Sequence, residues 1–388
     1  MFGDLTYPSF VFWPVGCGDS TTIPIVGDFT LQIDINDGAT ADNTDNERIP
    51  VVDELVAKLP RLNGKPYLSC FALTHPDLDH VKGFKELLKR VVIGELWFTP
   101  RVFWEYKKDL SPDALAFCEE AQRRVKHTIA AGGDPGRGHR VRLIGYDDLL
   151  GKDDYRGFPR KFLTIPGQSI EIVDGQDLSQ FFSAFVHAPF KDDSAGERNE
   201  TSLALQVRLY HGRTVGCGLF FGDLSYPTIR RIFDETHRHN NDDRLVWDVH
   251  LSSHHCSKKV MYVRNQDGSD VLMQDILDEL NAVQADGGCI VASSSAFPAS
   301  NSPGDNPPHI KARRRYEEIA IGGFICTGEY STPENMRPVV FSVTERGVIF
   351  VGDALELSEE SRSTLAKAVA AARGTDRPPT ERVGFGRT

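Results

Sequence analysis

An apolar run, Tyr67 to Leu73, opens directly onto Thr74-His75-Pro76-Asp77-Leu78-Asp79-His80, and Val81, Phe84, Leu88 and Val91 then recur at helical spacing. The run reads as a fully buried strand and the spacing behind it as a helix. Four ionisable side chains, His75, Asp77, Asp79 and His80, are therefore fixed on the short link between two regular elements. Two carboxylates at short range repel, and one must take up a proton unless a positive charge separates them. A pair of divalent cations removes that conflict and uses the imidazoles as ligands too. The competing reading is a polar turn in which Asp79 caps the following helix. It leaves both histidines and the other aspartate unexplained.

Two later segments repeat the pattern of a strand that ends in ligand-type residues. Phe220-Phe221-Gly222-Asp223 sets a lone carboxylate just past a glycine. Val249-His250-Leu251-Ser252-Ser253-His254-His255 sets histidines after another strand, and strand alternation would point His250, Ser252 and His254 to one face. Three such strand ends in one chain favour a metal centre over three unrelated polar turns.

Between these points the chain alternates strands and helices in two similar halves, which favours one α/β domain, spanning 1–356. Strands are expected at Ser9 to Val15, Thr21 to Val26 and Phe29 to Ile35, and later at Phe181 to His187, Ser202 to Tyr210, Val215 to Phe221 and Val246 to Ser252. From about 100 to 166 the texture changes to charge and aromatics (Phe103, Trp104, Tyr106), read as a helical insertion or lid. Within it, Ser111 and Pro112 begin a helix that Gly132-Gly133 ends. Ser358 to Arg373 reads as a further helix, and the Pro/Gly/Arg-rich stretch after it as a disordered tail.

The net charge is −11, which speaks against a dedicated duplex-DNA binder, although metal ligands supply part of it. Basic residues cluster at Lys82, Lys85, Lys89 and Arg90, at Arg123, Arg124 and Lys126, at Arg137, Arg140 and Arg142, and at Lys311 and Arg313 to Arg315. Each cluster reads first as a solvated face. Seven scattered cysteines, none in Cys-x-x-Cys spacing, argue against a disulfide framework and a zinc ribbon. No stretch is apolar enough for a membrane span and no secretion signal opens the sequence, so a cytoplasmic location is expected.

Taken together, the motifs resemble those of the metallo-β-lactamase superfamily, and more closely its ComEC-type branch of DNA-uptake nuclease-like domains. The resemblance rests on Val15-Gly16-Cys17-Gly18-Asp19-Ser20, on His75-x-Asp77-x-Asp79-His80 with an Asp at the middle position, on Asn199 and Ser202, on Gly222-Asp223, and on His254-His255-Cys256-Ser257, where Cys256 replaces the family's glycine. It spans about residues 10 to 320.

The resemblance implies a four-layer αββα sandwich and two divalent cations, Mn²⁺ or Zn²⁺ ahead of Mg²⁺, with Asp77 tilting the site towards oxygen-preferring ions. It implies that His75, Asp77 and His187 hold one ion, that Asp79, His80 and His254 or His255 hold the other, and that Asp223 bridges them. Asp34 and Asp19 would steady the ligands from behind. His255 or His309 would protonate the leaving group. The expected activity is metal-dependent hydrolysis, foremost of phosphodiesters in DNA or RNA. The alternatives are a small-molecule ester, amide or nucleotide hydrolase, and a component that works only with a protein partner docked on the insertion or the C-terminal helix.

Overall fold

The computed structural model describes residue 2 and residues 5–38, 49–104, 110–191, 198–302, 304–332 and 335–352. The expected C-terminal helix and tail lie outside these residues, as do Tyr106 and the side chain of Trp104.

Two sheets face each other. The first runs in the order Gly347–Phe350, Val339–Thr344, Ser9–Phe12, Thr21–Val26, Phe29–Ile33, Lys65–Ala72, Val92–Phe98, Arg140–Ile144, Leu163–Thr164. The second runs Phe324–Cys326, Gln284–Ala292, Trp247–Leu251, Thr214–Phe220, Ala204–His211, Phe182–Ala188, Ser169–Ile170. Alternation along the strands divides their side chains between two environments. Phe10 and Phe12 join Leu31, Ile33, Leu205, Val207, Phe220 and Val249 in the core between the sheets. Val11 and Trp13 point the other way, into a core shared with Val52 and Leu55 of the helix Val51–Lys58, Phe84 and Leu87 of Phe84–Arg90, and Phe117 and Ala121 of Pro112–Ala131. On the far side, Leu219, Phe221, Trp247 and Ile290 pack on the helices Tyr226–Arg238, Gln274–Ala282 and Ile310–Ile319. Three apolar layers thus separate four structural ones, the αββα order the sequence led us to expect.

The segment 100–166 carries the expected long helix, capped by the Ser111 hydroxyl, which accepts the Ala114 N–H, and closed by Gly132 in the left-handed region (φ 58°). It also contributes Arg140–Ile144, a parallel strand beside Val92–Phe98, so helix and strand form a crossover within the sandwich. Phe103 is buried against Phe98 and Phe117. It fills the core.

Parallel pairing places the site. Phe29–Ile33 runs parallel to Lys65–Ala72, and Thr214–Phe220 parallel to Trp247–Leu251. Asp34, Thr74 to His80, Asp223 and His254 to His255 all follow the carboxyl ends of these strands, the edge at which open α/β sheets gather ligands. A backbone hydrogen bond joins the two edges, Leu203 N–H donating to Thr74 O (3.0 Å), while Asp19 N–H to Asp79 O (3.1 Å) and His254 N–H to Gly222 O (3.1 Å) tie neighbouring loops within each edge.

Candidate metal centre

Asp223 is the hub. Its Oδ2 lies 3.8 Å from His75 Nε2 and 3.7 Å from His254 Nε2, and His75 Nε2 is 3.9 Å from Asp77 Oδ2. On its other side Oδ1 lies 3.2 Å from His80 Nε2, and Oδ2 lies 3.7 Å from His255 Nε2. His255 Nε2 is in turn 3.3 Å from His80 Nε2 and 3.3 Å from Asp79 Oδ2. Two groups therefore share one carboxylate: His75, Asp77 and His254, then Asp79, His80 and His255. Most of these spacings exceed a good hydrogen bond. They suit a chelate, since ligand atoms about 2.1 Å from a common tetrahedral ion stand about 3.4 Å apart. Asp19, His80, Asp223 and His255 lie close enough together to hold one ion among them.

The histidine tautomers agree. His80 Nδ1–H donates to Asp34 Oδ2 (2.7 Å), and His255 Nδ1–H to Ser293 O (3.2 Å). Thr74 Oγ1–H donates to Asp34 Oδ2 (2.6 Å), so the hydroxyl accepts from His75 Nδ1–H (3.1 Å). Each ring directs its Nδ1–H to the scaffold and turns its Nε2 inward. The Nε2 of His75 is completely buried yet makes no hydrogen bond. Such an atom is costly in a folded interior unless something outside the chain satisfies it. Divalent cations fit that requirement.

Electrostatics point the same way. Burial works against charge on His80 and His255, yet the carboxylates of Asp223, Asp34, Asp19 and Asp79 hold both imidazoles well above their usual range. Burial also opposes ionisation of Asp223, and His80 and His255 overcome it, holding the carboxyl well below its usual range. A field this negative at Nε2 calls for positive charge there, whether protons or metal ions.

Local backbone explains how the pieces meet. Gly18 sits at φ +153°, where an added Cβ would lie 2.1 Å from Asn36 Nδ2 and 2.6 Å from Asp79 O. That close approach lays the Gly16-to-Ser20 turn against the His75-to-His80 loop and brings Asp19 within 3.4 Å of His255 Nδ1. His254, His255 and Cys256 are all left-handed (φ 51°, 51° and 64°), a conformation side chains resist, and this turn sets the two adjacent imidazoles edge to face while both reach Asp223 Oδ2. Asp34, also left-handed at φ 53°, accepts the Thr74 N–H (2.8 Å) and the His80 Nδ1–H (2.7 Å).

Several expected site residues sit elsewhere or differently. His187 is not brought into the cluster. One ring nitrogen donates to Arg244 O (2.9 Å), the other pairs with Thr236 Oγ1 (3.3 Å), and burial depresses its pKa to about 4. His254 stands where His187 was expected. Nor does His309 face the cluster: its backbone N–H donates to Cys256 O (3.1 Å), and its ring accepts the Lys258 N–H (3.3 Å) and donates to Asp305 O (3.1 Å). It braces the histidine turn from outside. Asp19, expected to act from behind, has its carboxylate among the ligand-type groups. His255, expected either as a ligand or as a proton donor, is among them as well. His250 faces the outer core, packed on Phe221, Trp247 and Tyr316, because its strand ends at Leu251 and alternation stops there. Of the basic clusters, Arg124 is buried on Glu120 and the carbonyls of Ile93, Gly94 and Arg140, and Arg142 pairs with Glu95. Both serve the interior.

No protein-family model and no curated protein matches the sequence. Among solved structures the chain is similar to the metallo-beta-lactamase fold protein YhfI from Bacillus subtilis, at 12% identity over 82% of this chain and 96% of that one, with a TM-score of 0.38. It is similar to the Rm3 metallo-beta-lactamase at 13% identity over 64% of this chain and 75% of that one (TM-score 0.32). An archaeal metallo-beta-lactamase superfamily protein from Sulfolobus tokodaii is similar at 14% identity over 80% and 96% (TM-score 0.29).

Proposed function

We propose that this chain is a dinuclear metal-dependent hydrolase whose substrate is a phosphodiester, foremost DNA or RNA, and that it is related to the ComEC-type branch. The observation that carries the proposal is the pair of ligand sets sharing Asp223, with inward-facing Nε2 atoms on His75, His80 and His255. In this reading His75, Asp77, His254 and Asp223 hold one cation. Asp79, His80, His255 and Asp223 hold the other, with Asp19 beside them. Bound there, two divalent ions supply an activated water at neutral pH and offset the negative charge that grows on a phosphoryl centre.

The chain's own residues do the rest. Asp34 and Thr74 fix the orientation of His80 and His75, so the inward atoms need no rearrangement when substrate arrives. Ser293 does the same for His255. No side chain is required as a nucleophile, and burial pushes the Cys256 thiol far above its usual range, which keeps it inert. Asp77, as an oxygen ligand in a place where histidine would be softer, favours Mn²⁺ over Zn²⁺. Support for the nuclease branch comes from the Gly16-to-Ser20 turn, which meets the Asp79 and Ser293 edges of this site through Asp19 N–H and Gly18 O.

The test is cleavage of single- and double-stranded DNA and RNA by the metal-loaded protein in Mn²⁺, Mg²⁺ and Zn²⁺, with Asp79→Ala alongside. The expected result is cleavage by the wild type, fastest in Mn²⁺, and a loss of at least about a hundredfold in the variant. Equal rates would refute the two-metal reading.

A further inference from the structure

Beside the histidine turn lies a second feature, built from residues that take no part in holding ions. Lys258, Arg264, Asn301, Ser302, His309 and Lys311 line a cavity of about 290 Å³, together with Asp270. Asp270 is the one carboxylate in that lining, and three cations share it. Lys258 Nζ approaches it to 2.8 Å and Lys311 Nζ to 3.7 Å, while Arg264 acts on it through space. Three positive charges against one negative leave the cavity short of an anion, in a chain whose total charge is −11.

Two of the cations are held by neighbours, Lys258 by Asp270 and Lys311 by an aromatic face. Lys311 Nζ rests 4.3 Å from the centre of the Tyr262 ring. The Arg264 guanidinium makes no hydrogen bond or ion pair among the described residues, so its donors remain for a ligand. The cavity also faces the start of the helix Ile310–Ile319, whose positive end adds to the field. Asp305, nearby, spends its carboxylate on the Ser302 N–H (2.6 Å).

Position gives this cavity its meaning. Lys258 is three residues past His255, so their Cα atoms are at most about 10 Å apart. His309 joins the two places physically, since its backbone holds the Cys256 carbonyl and its ring holds the Lys258 N–H. A polynucleotide with one phosphate at the ions carries its next phosphates within that reach.

We propose that this cavity is a phosphate subsite that receives a backbone phosphate neighbouring the one cleaved, and so selects polynucleotides over substrates with a single phosphate. The proposal rests on the phosphodiesterase reading of the metal centre, and the two can fail separately.

The experiment measures binding of a fluorescent single-stranded DNA by the full chain in an Asp79→Ala background, across a series of salt concentrations. It compares this protein with the further triple change Lys258→Gln, Arg264→Gln, Lys311→Gln, and with Lys89→Gln as a control for loss of surface charge. Thermal melting checks that each protein is folded. The triple variant is expected to bind roughly tenfold more weakly, with a salt slope smaller by about 1, and Lys89→Gln to match the parent. An unchanged affinity and slope in the triple variant overturns the subsite, as does absence of binding by the parent. In parallel, the protein with Asp79 intact is assayed on bis(p-nitrophenyl) phosphate, a diester with one phosphate. Hydrolysis there with no effect of the triple change on DNA binding retains the metal reading and removes the subsite. No hydrolysis of either diester or DNA, with weakened binding in the triple variant, supports the subsite and removes the phosphodiesterase reading.

Discussion

A few side chains decide whether this centre forms, and Asp34 is the most exposed to test. It accepts three hydrogen bonds, from the Thr74 backbone, the Thr74 hydroxyl and His80 Nδ1, and burial raises its pKa while His80 works against that rise. Asp34→Asn replaces an acceptor with a donor facing His80, so the ring loses its fixed tautomer. Metal affinity should fall about 10- to 100-fold, read by competition with a fluorescent chelator; an unchanged affinity would show that His80 needs no such support. Gly18→Ala puts a Cβ into Asn36 and the Asp79 carbonyl at a backbone angle that alanine avoids. A destabilisation of about 2–4 kcal/mol in denaturant unfolding is expected. A loss below about 0.5 kcal/mol would mean that the two loops separate without cost.

At the scale of elements, the strand and helix around His75 to His80 were legible because periodicity and burial speak together there. Lys65–Ala72 differs from the expected strand only at its ends, whereas the expected helix behind His80 is split into Leu78–Val81 and Phe84–Arg90 at the left-handed Gly83 (φ 97°). The helix Pro112–Ala131 was equally plain, since Ser111, Pro112 and Gly132 mark both of its ends. The strand Arg140–Ile144 was not legible: alternating arginines look solvated, and only the fold reveals that Arg142 meets a buried Glu95. The division of labour between His254 and His255 was hidden for a different reason. It depends on three consecutive left-handed residues, and sequence gives no warning of these where Cys256 stands in place of glycine. His187 looked like a ligand because it ends an apolar strand; its partners, Thr236 and Arg244, come from a later helix and turn. Helix packing yields its own prediction. Phe117 meets Phe71, Phe84, Phe98 and Phe103 within one aromatic cluster, so Phe117→Ala should cost about 3–5 kcal/mol in unfolding experiments. A cost under about 1 kcal/mol would show that this helix is peripheral.

For the molecule as a whole, acid should expose the cost of burying neutral histidines. His187 and His250 are buried, and burial depresses both pKa values to about 4, from an ordinary 6.5. Between those values the unfolded chain binds protons that the folded chain refuses. Their contribution to stability is therefore intact above pH 6.5 and is lost as the pH falls towards 4, by up to about 1.4 kcal/mol per pH unit for each ring. Asp37 works in the opposite sense, because burial pushes its carboxyl up to about 6 and the folded chain gains a proton as the pH falls. Comparing wild type with His187→Gln isolates one histidine: the variant should lose less stability between pH 6.5 and 5, and parallel curves would contradict the assignment.

The central claim is that Asp223 joins two cation sites, and metal stoichiometry tests it most directly. Purified wild type, Asp223→Ala and His187→Gln are loaded with Mn²⁺ or Zn²⁺, dialysed against metal-free buffer and analysed for bound metal by plasma emission. About two ions per chain are expected in the wild type and in His187→Gln, and fewer than about one in Asp223→Ala. Equal metal content in the wild type and Asp223→Ala, or loss of an ion in His187→Gln, would contradict that claim.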